Sequence, residues 1–176
     1  MDRGYTLHHF ENGFKLFLIP IRKGKDNLLY SCIDILCGSD LENSTNLEHG
    51  HFLEHLNAFF TSTKYPNGKE NELKINNLGI STNASVTSTI TSYYMSGLAK
   101  NKDLMLDMLL NSFIHFKIDK NILKQERNAV IKELQERRNN TWNTMYQREN
   151  EVKYPGHYRK THIIDYKARI NSTKKA

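Results

Sequence analysis

Ten residues, Leu47 to Leu56, read LEHGHFLEHL and hold three of the chain's eight histidines together with two carboxylates. Residues four apart on a helix share a face, so His51 and His55 can direct ring nitrogens at one ion, for which zinc is the natural candidate. Glu54 falls at the edge of that face, where a carboxylate can take a proton from an attacking water. His49 points elsewhere. The spacing alone is also that of a polar helix surface. Two histidines are too few for a catalytic zinc, which takes three protein ligands and keeps an open position, so a third ligand has to come from elsewhere in the chain.

Such a cluster needs a helix to carry it and a scaffold to hold that helix. Phe52, Leu53 and Leu56 recur at helical spacing, and Ser44-Thr45-Asn46 offers N-cap candidates, which predicts a helix from Asn46 to about Phe60. Upstream, HFENGFKLFLIP has Asn12-Gly13 as a turn signal followed by alternating Phe14, Leu16 and Leu18, and LLYSCIDILCGSD is β-rich and closes on Gly38-Ser39. Two antiparallel strands are therefore expected to open the domain. After Pro66-Asn67-Gly68, KENELKINNLG reads as a helix ending at Gly79, and ISTNASVTSTITSYYMSGL as one or two strands. Leu104, Met108, Leu109 and Phe113 mark a further helix. Another begins at the cap-like Asp119 and carries Ile122, Val130, Ile131 and Leu134. A helix from Thr141 to about Val152, a YPGHY loop, a short HIID strand and a polar end complete the chain, with no internal repeat. The order predicts an α+β, two-layer domain with a mostly antiparallel sheet covered on one face by helices.

A chain of 176 residues is long enough for one buried core, so a single domain over residues 1–176 is expected. Its formal charge of +6 is spread along the sequence without an RNA-binding signature, zinc knuckle or glycine-arginine tract, so no nucleic-acid partner is expected. No apolar run reaches the length of a membrane span and the N-terminus does not resemble a signal peptide. Cys32 and Cys37, five apart in an extended-looking run, are expected to point to opposite faces without a disulfide. A cytoplasmic protein with no membrane partner is the expectation.

His51-Phe52-Leu53-Glu54-His55 is the H-x-x-E-H signature of the inverzincins, and its surroundings resemble the catalytic half of the pitrilysin, insulin-degrading enzyme and mitochondrial processing peptidase family. NGFKLFLIP is similar to that family's opening strand, and Cys37-Gly38-Ser39 to its Gly-Ser after the second strand. Thr63-Lys64-Tyr65-Pro66 with the ENEL that follows is similar to its segment after the metal helix. Gly79 to Ala84 resembles its Asn-Ala strand, Thr91 to Tyr94 the Tyr-Tyr strand, and Glu126 to Glu133 its distal glutamate helix. The similarity runs from about Thr6 to Ile164.

The resemblance implies a zinc metalloendopeptidase in which Glu133 joins His51 and His55 as the third Zn²⁺ ligand, Glu54 is the general base, and Glu126 supports the site from behind. Asn83 and Ala84 would hold an extended peptide substrate added as a strand at the sheet edge. Tyr93 and Tyr94 read as core or sheet-face aromatics, and His157 and His162 are assigned no chemistry. The chain departs from the pattern at Glu48-His49-Gly50, where many relatives have Gly-Leu-Ala, and at Asn57 and Phe59-Phe60. Active members resemble a clamshell of two halves, so a single half implies a second peptidase-like subunit or self-association. The substrate implied is a small or unfolded peptide, such as a leader or targeting peptide. A non-catalytic peptide-binding subunit is the alternative.

Overall fold

At Asn12-Gly13 the chain reverses with Gly13 at φ +85°, and Thr6–His9 (β1) pairs antiparallel with Lys15–Leu18 (β2), Leu7 opposite Phe17. The computed structural model of the protein describes residues 4–20, 27–43, 46 and 48–155. The opening thus differs from the two strands expected: the turn signal makes a complete hairpin. The following β-rich stretch, Leu28–Ile35 (β3), pairs with a strand far along the chain, Thr91–Leu98 (β5), from Leu28↔Leu98 to Ile35↔Thr91. Ser81–Val86 (β4) joins β5 through a turn in which Thr87 N–H donates to Ile90 C=O, so the order is β3-β5-β4, antiparallel throughout.

Alternation decides which side of this sheet is covered. Thr91, Tyr93, Met95 and Gly97 of β5 are buried, while Ser92, Tyr94 and Ser96 lie on the other, partly exposed face. Onto the buried face pack Met105, Met108 and Leu109 of Lys102–Ile114 (α3), with Ile75 of Gly68–Asn77 (α2), Ile80 and Phe60. This is the α+β arrangement of antiparallel strands and helices expected from the element order. Tyr93 stacks edge-on against Phe113 inside this core, and Tyr94 meets Tyr30 on the outer face.

The helix that carries the His/Glu cluster, His49–Asn57 (α1), is shorter than the periodicity suggests. Its N-cap is Glu48; Ser44 and Thr45 lie outside the described residues. At the other end Phe60 turns left-handed (φ 49°), its N–H bonding Asn57 C=O, and its fully buried ring ends the helix where the pattern alone would have continued it. Helix α2 stops as foreseen at Gly79. Ile80 N–H reaches Ile75 C=O and Gly79 N–H reaches Asn76 C=O, a closure that requires the left-handed φ of +65° glycine tolerates.

Two further helices follow, Lys120–Asn139 (α4) and Thr141–Lys153 (α5). Asp119 caps α4 by accepting from Asn121 N–H, and Asn140 caps α5 by accepting from Trp142 N–H. Helix α4 lies against α1 through a second core of Phe52, Leu56, Ile122, Val130 and Leu134. That packing holds the two halves of the cluster described below together. Leu134→Ala, at a fully buried position, should lower unfolding stability by about 2–5 kcal/mol in a urea titration; a loss below about 1 kcal/mol would show that the α1/α4 contact is not a tight one. Among the described residues no helix is long and apolar enough to cross a membrane. The YPGHY loop beyond Pro155, the HIID strand, His157 and His162 lie outside the described residues.

Candidate metal centre

Glycine at position 38 lets the chain pass against the β4–β5 turn: a Cβ there would stand 2.4 Å from Thr87 O, and Ser39 N–H and Asp40 N–H bond Thr87 C=O and Ser88 C=O. This anchored segment delivers Glu42 to the start of α1. Its carboxylate accepts from Glu48 N–H (3.0 Å) and Gly50 N–H (2.8 Å), satisfying two donors that a helix N-terminus leaves open. Glu48 itself sits at φ 68°, a left-handed conformation that costs a non-glycine residue roughly 1–2 kcal/mol.

From α1 and α4 four side chains converge. His51 Nδ1 bonds Glu48 Oε2 (3.0 Å) and His55 Nδ1 bonds Glu126 Oε2 (2.9 Å). An ionised carboxylate only accepts, so each ring donates to it from Nδ1–H, and in the neutral imidazole this leaves Nε2 as a lone pair. Those two Nε2 atoms lie 3.2 Å apart, and Glu133 Oε2 completes a triangle with them at 3.5 and 3.4 Å. Glu133 Oε1 is held by Arg137 one turn on along α4. Three acceptors facing one another repel unless a cation stands between them. Tetrahedral zinc with ligands at about 2.0–2.1 Å would set them about 3.3–3.4 Å apart. The residues fit the ion, and among the described residues they are the cluster of His, Cys, Asp or Glu close enough to share one.

A cavity of about 700 Å³ opens beside the triangle and is lined by Glu54, Arg137, Asn83 and Ala84, among others. Burial, the largest influence, pushes the Glu54 carboxyl above its usual range, as does the charge of Glu133, while His55, His51 and Arg137 pull it down. For His51, burial acts to lower the pKa, but Glu48 by hydrogen bond and charge, with Glu133, outweighs burial and Arg137, and the net shift is upward. Among the described residues, strand β4 pairs with β5 on one side and is an edge of its sheet; there Asn83 Oδ1 accepts from Ala84 N–H (2.9 Å).

The structure thus brings His51, His55 and Glu133 to one point, sets Glu126 directly behind His55, and places Glu54, Asn83 and Ala84 around the same cavity. His49 stands apart, its Nε2 buried without a hydrogen-bond partner among the described residues. Glu42, Glu48 and Arg137 line the cavity without having been assigned a role at the metal site. The i,i+3 and i,i+4 spacings of Glu48/His51 and Glu133/Arg137 were readable signals; Glu42 offered none.

Residues 23–155 match the family described as Insulinase (Peptidase family M16). The chain belongs to peptidase family M16. It is 34% identical over 84 residues to an uncharacterised zinc protease, YmxG, of Bacillus subtilis, covering 48% of this chain and 20% of that one. It is 29% identical over 99 residues to a probable mitochondrial-processing peptidase subunit beta of Arabidopsis thaliana, 56% of this chain and 18% of that protein. Its fold is shared with a protease from Helicobacter pylori (TM-score 0.80, 21% identity, 95% of this chain and 40% of that one). Pitrilysin is similar as well (TM-score 0.75, 25% identity, 91% and 17%). The M16 chain therefore spans about a fifth of the curated relatives it matches. The triangle is where this M16 chain could hold a metal ion.

Proposed function

We propose that this chain is the catalytic half of a zinc endopeptidase, a single domain that hydrolyses small or unfolded peptides, leader or targeting peptides among them, together with a second half-subunit. The observation that carries the reading is the triangle of His51 Nε2, His55 Nε2 and Glu133 Oε2, 3.2 to 3.5 Å apart, with a partly buried carboxylate, Glu54, in the same cavity. His51, His55 and Glu133 would hold the ion. What zinc supplies when bound is Lewis acidity toward the scissile carbonyl and the attacking water. Glu54 takes the proton of that water and returns it to the leaving amine, a role suited to a carboxylate whose pKa is raised. Glu126 fixes the His55 ring from its far side, and Arg137 turns the other Glu133 oxygen toward the histidines.

Asn83 and Ala84 hold the peptide as an added strand on the β4 edge; the contact between them supports a role at that edge, since a peptide bonding there would displace the Asn83 amide from Ala84 N–H. Both cysteines are free and exposed, which supports a reducing, cytoplasmic setting.

The test is metal content and peptide hydrolysis with and without a chelator. Zinc near one equivalent and chelator-sensitive cleavage are expected; zinc uptake with no cleavage in any partnered form would favour a peptide-binding subunit instead. Glu133→Gln should release most of the metal. Glu126→Gln should keep it with affinity or activity reduced about 10- to 100-fold. A reversed pattern would make Glu126 the ligand.

A further inference from the structure

Glu48 occupies a backbone conformation that a side chain disfavours, one residue before α1 and three before His51. Nothing in the packing asks for a carboxylate-bearing residue there. The N–H of Glu48 is met by Glu42 and its C=O by Phe52 N–H, contacts that glycine at this position would make equally well and with less strain. What glycine could not supply is Oε2, 3.0 Å from His51 Nδ1. Local strain that persists beside a converging polar cluster is the pattern in which conformational stability is given up for a fixed functional geometry.

We propose that Glu48 is a positioning residue that gives up stability in the metal-free chain to lock the His51 imidazole, in its Nδ1–H tautomer and facing the triangle, for zinc capture. Glu126 does the same for His55 from α4, so each histidine is held by a carboxylate from a different direction. The left-handed turn is what aims the Glu48 side chain. Glu42 secures that turn with both carboxylate oxygens, and in doing so couples the β4–β5 turn, through Gly38 and Ser39, to the orientation of one ligand.

This inference rests on the zinc site proposed above, and the test separates the two. Zinc affinity is measured by competition with a chelating dye, and thermal unfolding is followed on metal-free protein, for wild type, Glu48→Gly, Glu48→Gln and, as a control on the site, His55→Ala. Glu48→Gly should melt at a higher temperature than wild type without metal, yet bind zinc about 10- to 100-fold more weakly. Glu48→Gln, whose amide oxygen still accepts from Nδ1–H, should recover most of that affinity while melting like wild type. A purely structural role for Glu48 would move both readouts in the same direction. Equal zinc affinity in wild type and Glu48→Gly overturns the positioning role, and so does equal weakening in the Gly and Gln variants. No rise in the metal-free melting temperature of Glu48→Gly overturns the claim of stability given up. Those outcomes leave the zinc site standing. Wild type that takes up no zinc, or His55→Ala that binds as well as wild type, overturns the site reading and this inference with it.

Discussion

Glu54→Gln is expected to hold zinc at about one equivalent and to lose peptide cleavage by a factor of about a hundred to ten thousand, the usual worth of a positioned acid–base group. The two outcomes separate because the residues divide the work. The three acceptors that converge come from His51, His55 and Glu133, and Glu54 lies in the cavity beside them without being one of them. Glutamine keeps its size and polarity and removes only the capacity to take a proton. Zinc analysis of the dialysed protein and hydrolysis of a fluorogenic peptide read the two quantities independently. Cleavage within a few-fold of wild type would place the proton acceptor elsewhere; loss of zinc would make Glu54 a ligand.

The second large effect concerns the share of its longer relatives that this chain does not cover. It spans 40% of the Helicobacter pylori protease and 17% of pitrilysin. Reaction of a bound peptide requires its carbonyl within about 3 to 3.5 Å of the attacking oxygen, and misplacement by about 1 Å costs roughly a hundredfold. Here the cavity is lined by residues of α1, α4 and β4 and of the segments that flank α1. The isolated chain should therefore bind zinc but turn over peptide well below about 1 per second, and a second chain of similar fold should raise the rate by about a hundredfold or more. Light scattering of the active sample decides the case. A monomer cleaving at enzyme-like rates would sink the idea, whereas activity that falls on dilution would identify a second copy of this chain as the second half-subunit.

Residues close in sequence announced themselves, and residues joined only by the fold did not. The His51/His55 face, the Asp119 cap, the Gly79 stop and the long helix holding Glu126 and Glu133 follow from local periodicity and local hydrogen bonds, which leave traces in the order of residue types. Which of the two glutamates meets the histidines depends on how α4 lies on α1; family resemblance, not spacing, pointed to Glu133. The β3–β5 pairing was invisible for the same reason: β-rich composition marks a strand but not its partner. The start of α1 was misjudged because Glu48 N–H and Gly50 N–H are met by Glu42, from an anchored upstream segment. Glu48 could be read as a departure from the family pattern, yet its value lies in a φ angle, and that has no signature in a side-chain alphabet.

Helices α1 and α4 meet through His55 and Glu126, which are 71 residues apart in the chain. An ion shared by these helices is a cross-link that the unfolded polypeptide cannot form without first closing a loop of that order, so it is held by the folded state almost alone. Mass action then couples metal supply to fold: at a free concentration a hundred times the dissociation constant the folded state gains about 2.7 kcal/mol, and the gain vanishes when a chelator strips the medium. With zinc bound at this site, the melting temperature of the chain would be a gauge of the free zinc around it.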